Sequence, residues 1–61
     1  VSIWDIRWHN VQSHLLGHLA FEGTEREALI YAVDRLLLSD VRTVRILKGS
    51  TFVHKLEREV A

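Results

Sequence analysis

Four residues near the middle of the chain, Thr24-Glu25-Arg26-Glu27, constrain the fold most. A Thr followed three positions later by Glu is a capping box. The hydroxyl accepts from the Glu backbone N–H, and the carboxylate reaches back to the N–H of the Thr. Behind it Ala28, Leu29, Ala32, Val33, Leu36 and Leu37 recur at helical spacing, with Arg26, Asp34 and Arg35 mostly off that stripe. A helix is predicted from Thr24 to near Ser39-Asp40. It has one apolar face to bury, and only the rest of a 61-residue chain to bury it against.

That length permits one domain, residues 1–61, and makes a lone core marginal, because a chain of about 60 residues buries only about 60% of its unfolded surface. Small domains add disulfides, a metal or a partner chain. The chain has no cysteine, so disulfides and Cys-type zinc sites are excluded. Hydrophobic residues reach 48% at zero formal net charge, which argues against disorder and for a second copy of the chain completing the core. No apolar run approaches the ~18 residues of a membrane span. No charged segment precedes an apolar leader, so the chain is expected to be cytoplasmic without a membrane partner. It starts with Val, which points to trimming or a fragment.

Before the helix, Trp4, Ile6 and Trp8 alternate with Asp5 and Arg7, the period-two pattern of a strand over residues 3–8. From Asn10, a good N-cap type, Val11, Leu15, Leu19 and Ala20 line one helical face up to Phe21. Gly17 fits poorly inside that helix, where it costs roughly 1 kcal/mol against Ala. After the capped helix, residues 41–47 contain four β-branched residues between Val41 and Ile46. They read as a strand, with continuation of the helix as the rival. Lys48-Gly49-Ser50 is a turn, and Ser50 or Thr51 is placed to cap a last helix carrying Phe52, Val53, Leu56 and Val60.

The order of strand 3–8, helix 10–21, turn at Gly23-Thr24 and a second helix opening with Glu27-Ala28-Leu29-Ile30-Tyr31-Ala32-Val33 resembles the ribbon-helix-helix repressors of the Arc/MetJ type, over residues 3–40. In that family two chains pair their single strands into a ribbon that enters the DNA major groove. The resemblance implies Ile3, Asp5 and Arg7 as base readers, with Arg7 suited to guanine. It also implies a phosphate held at the backbone of Thr24. Residues 19–60 show a fainter similarity to Smr-type nuclease domains. Leu19-Ala20-Phe21-Glu22 and Leu47-Lys48-Gly49-Ser50 stand where that family carries its histidines, so no nuclease activity is expected.

His14 and His18 are four apart, a spacing that lets two helical histidines share a metal. Leu15 stands where a zincin carries its catalytic Glu, so a protease is excluded. Exposed or hydrogen-bonded histidines are the simpler expectation, and no metal is assigned. Charge divides unevenly: three arginines face six carboxylates in residues 1–40, and five Lys or Arg face two Glu in residues 41–61, giving −3 and +3. Arg42 and Arg45, three apart, would point to opposite faces of a strand and form no single patch. No nucleophilic triad, Cys-His pair or phosphate loop is present, so neither an enzyme nor a cofactor is expected.

Together these readings predict a small α+β chain of β-α-α-β-α order, an intertwined homodimer or higher homo-oligomer with a ribbon-helix-helix-like part at 3–40 and a strand-helix extension at 41–61. The predicted function is a DNA-binding transcriptional regulator or antitoxin-like protein reading duplex DNA with a β-ribbon, its extension 41–61 engaging a partner protein. The alternative is a protein-interaction or oligomerisation module with no nucleic-acid role.

Overall fold

Trp4, Ile6 and Trp8 demand an apolar cover on one side of their strand, and the capped helix supplies it. The computed structural model describes residues 2–58. Its elements run β1 (Ser2–His9), β2 (Leu15–Gly23), α1 (Glu25–Leu36), β3 (Thr43–Lys48) and β4 (Thr51–Glu57). The strands form one antiparallel sheet in the order β2-β1-β3-β4, with α1 packed on one face. The core joins Trp4 and Ile6 of β1, Val44 and Ile46 of β3, Val41, and Ala28 and Ala32 of α1. Small alanines on the helix let its backbone lie close to the sheet. Trp4 also donates its indole N–H to the Gly23 carbonyl at 3.0 Å.

The capping box forms as the sequence predicts: the Thr24 hydroxyl accepts from Glu27 N–H at 3.2 Å, and the Glu27 carboxylate accepts from Thr24 N–H at 3.0 Å. At the other end, the Arg58 guanidinium donates to the carbonyls of Leu36 and Leu38. The Leu36 carbonyl is one of the last-turn acceptors a helix leaves unpaired, and Leu38 lies just past the helix end. The strand at 41–47 is also present, as β3.

Two predicted helices are strands. Residues 10–21 form a turn followed by β2, and the last predicted helix gives way to β4 over Thr51–Glu57, with Val60 outside the described residues. The observed order is therefore β-β-α-β-β, and it replaces the β-α-α-β-α expectation. Asn10 explains the first error. Its side-chain oxygen accepts from Gln12 N–H and His14 N–H, both at 2.9 Å. This is the turn-forming use of the same group that caps helices. Ser13 completes the turn at φ 66°. Gly17 lies opposite Trp8, and a Cβ there would sit 2.6 Å from the indole, so the glycine makes room for a ring rather than a neighbouring helix. In the second hairpin Gly49 takes φ 63°, the left-handed conformation such a tight loop needs.

The intertwined ribbon is corrected as well. β1 is paired along both edges, with β2 and with β3, so no edge remains for the strand of a second copy. Among the described residues no helix is long and apolar enough to cross a membrane.

Candidate nucleic-acid interface

Residues directly opposite in an antiparallel sheet share a face. Trp4, Ile6, Val44 and Ile46 point toward α1, so the alternate residues occupy the uncovered face. Registers of the three strand pairs set Arg7 opposite His18, Arg7 opposite Arg45, and Arg45 opposite Lys55. A single transverse row, His18-Arg7-Arg45-Lys55, thus crosses all four strands, spanning about 14 Å at the usual interstrand spacing.

Like charges placed directly opposite destabilise a sheet. Acidic neighbours relieve part of this row. Arg7 pairs with Asp5 at 2.8 Å and Lys55 with Glu57 at 3.4 Å. Among the described residues Arg45, at the centre, has no ion pair. Such exposed pairs are worth only about 0–1 kcal/mol, so a phosphate can replace either carboxylate at little cost. Beside the row, Ala20, Asp5, Leu47 and Phe52 form the adjacent transverse line, and Phe52 is 53% exposed. Ile3, 61% exposed, lies further along the same face of β1. A basic row next to an exposed aromatic and aliphatic patch offers both phosphate contact and a surface for stacking bases.

At the row's end near the first turn, a cleft of about 300 Å³ is lined by His9, Arg42, Arg45 and Lys55 among others. Arg42 precedes β3, so it does not obey strand alternation, and it shares this cleft with Arg45. This corrects the expectation that the two arginines form no common patch. Burial, then the positive charges of Arg45 and Arg7, hold the His9 imidazole below its ordinary pKa.

The sequence-predicted readers Ile3, Asp5 and Arg7 do share the uncovered face of β1. Thr24 stands apart as the helix N-cap, and its N–H is already taken by the Glu27 carboxylate. That carboxylate occupies the position a phosphate would need. His14 lies in the turn and His18 on β2, so they do not share a helical face. Among the described residues no three His, Asp or Glu side chains gather to hold a metal. Sequence reasoning missed Arg45, Lys55 and His18 as companions of Arg7, because their alignment depends on strand register. The Gly49 turn between two β-branched segments was the available signal for the β3-β4 hairpin.

The fold and surface define a class: a helix-backed four-stranded antiparallel sheet whose open face carries a transverse basic row flanked by the carboxylates of Asp5, Glu22 and Glu57. No family model, curated protein or solved structure matches the chain.

Proposed function

We propose that the chain is a small nucleic-acid-binding module that lays the open face of its sheet on a single strand. The observation that carries this reading is the row His18-Arg7-Arg45-Lys55 beside Phe52. Cations track a phosphate backbone, while an aromatic ring accepts a base whose π-face is free only in single strands. A regulatory role, in which such binding governs use of the bound DNA or RNA, is the setting that suits such a surface.

Fluorescence anisotropy with single-stranded and duplex oligonucleotides over a salt series tests it. With Arg7, Arg45 and Lys55 each meeting a phosphate, log K against log salt should fall with a slope near about −2 for single strands. Undetectable binding at low salt defeats the proposal. Preference for duplex would transfer the row to double-helical backbone and leave Phe52 without a role.

One specific observation favours a second reading, an oligomerisation module. β2 is a sheet edge that carries exposed Leu15, Leu16 and Leu19. Beside it, Ile30 and Tyr31 of α1 form an apolar groove with Phe21. Long apolar edges invite pairing. Antiparallel pairing of two β2 strands about Leu19 would set Phe21 opposite Gly17, large against small, and extend the sheet into a second copy. Sedimentation of the wild-type chain and Leu19→Lys decides this. A concentration-dependent dimer that Leu19→Lys dissociates supports it, and a monomer at all concentrations defeats it.

A further inference from the structure

Buried polar atoms in native proteins are paired, and each exception calls for an explanation. Among the described residues three buried side-chain nitrogens lack a hydrogen-bond partner: His9 Nδ1, Arg35 Nε and Arg42 Nε. Arg35 has a local account. Its guanidinium lies over Tyr31 and Trp8, with centroid distances of 5.1 and 5.8 Å, while Asp34 accepts from another of its nitrogens at 3.0 Å. The other two belong to one place, the cleft at the end of the basic row.

That cleft gathers more positive charge than its own acids answer. Arg42, Arg45 and Lys55 line it together with His9, and Glu57 is the carboxylate among them. Glu57 is held by Lys55. Neither Arg42 nor Arg45 has an ion pair among the described residues. The backbone around them is firmly placed, since Arg42 N–H donates to the His9 carbonyl at 2.8 Å and the Arg42 carbonyl accepts from Arg58 N–H at 2.9 Å. A rigid site holding two guanidiniums and an imidazole, with volume for a small group, is matched by a compact anion of charge near −2. Guanidinium forks recognise phosphate oxygens through paired, charge-assisted hydrogen bonds.

We infer that this cleft binds one phosphomonoester group, with Arg42 and Arg45 as its donors and His9 as a third contact, and that on a bound strand it takes the terminal phosphate. The strand-end part rests on the nucleic-acid reading above, whereas the anion site itself does not. Charges facing His9 are Arg7 on its own strand, Arg42 and Arg45 from the β3 side, and Lys55 and Glu57 from β4. A dianion among them opposes the arginines, so binding raises the His9 titration midpoint.

Two measurements on the whole chain test this. The first compares oligonucleotides of one sequence with a phosphorylated or a hydroxyl end. The phosphorylated strand should bind about tenfold more tightly, the scale of one added charge-assisted contact. Arg42→Gln should abolish that preference, whereas Arg7→Gln should weaken both strands alike. Should Arg42→Gln fail to fold, His9→Gln, at the third contact, serves, with a reduced preference expected. The second measurement follows the His9 ring by NMR during titration with inorganic phosphate, and its midpoint should rise. Equal affinity for both strands overturns the strand-end assignment and leaves the nucleic-acid reading standing. A His9 response to phosphate without binding of either oligonucleotide supports the anion site and overturns that reading. No response in either measurement overturns both.

Discussion

The two faces of the sheet are built from the same four strands and answer to different physics. On the covered face Ile6, Val44 and Ile46 are wholly buried, and Trp4 nearly so, under Ala28 and Ala32 of the helix. On the open face, one residue further along each strand, stand Arg7, Arg45 and Lys55. The first face is stabilising because apolar area leaves water. The second is mildly destabilising because like charges meet across strands. A chain this small has little stability to spare, on the order of 0.05–0.15 kcal/mol per residue. An arrangement that carries such a cost is the reason for placing the proposed function on the open face.

The largest effect expected from breaking this contrast is on the covered side. Ile46→Ala removes a fully buried side chain and should cost about 2–5 kcal/mol, a large share of the stability of so small a chain. Urea denaturation followed by tryptophan fluorescence measures it. Next comes Gly17→Ala, whose new methyl would collide with the Trp8 indole. A loss of about 1–3 kcal/mol is expected in the same assay, by overpacking. If Gly17→Ala is neutral, the indole does not rest on that strand.

Thr24→Ala removes the helix cap and should cost about 1 kcal/mol. Its companion effect is pH-dependent. The Thr24 backbone N–H, then its hydroxyl, lower the Glu27 pKa. A depressed carboxylate stabilises the fold above its unfolded pKa, and that contribution fades as pH falls through the folded value. Acid unfolding of Glu27→Gln should therefore lack this component, which comparison of wild-type and variant melts between neutral and acid pH will reveal. The smallest effect on stability belongs to the open face. Arg45→Gln should leave the melting temperature unchanged or slightly raised, since it relieves repulsion from Arg7 and Lys55. The same substitution should weaken oligonucleotide binding and make the salt slope shallower by about 0.7, one phosphate contact fewer on a single strand. A clear fall in stability from Arg45→Gln would mean that the row is structural.

Several elements were legible in the sequence because their causes are local. The capping box at Thr24-Glu27 depends on residues three apart. The alternation from Trp4 to Trp8 marks β1, and β-branched residues mark β3. β2 and β4 were not legible. Val11, Leu15 and Leu19 satisfy helical spacing by coincidence, and Asn10 serves a turn as readily as a cap. Both segments are half-exposed edge strands, so neither carries the continuous apolar signal of a buried strand. The open-face residues were partly legible: Arg7 stood out, while its neighbours in space did not.

By itself the sequence determined one capped helix, two central strands, a chain without disulfides, and a neutral total made of −3 and +3 halves. Only the tertiary structure decided where that charge goes. Pairing β1 with β3 places Arg7 from the acidic half beside Arg45 from the basic half, and pairing β3 with β4 adds Lys55. The physical reason is register. A strand's side chains alternate with period two, so a shift of one residue would exchange the core and the basic row, and burial of Trp4, Ile6, Val44 and Ile46 selects the register that sets the cations side by side.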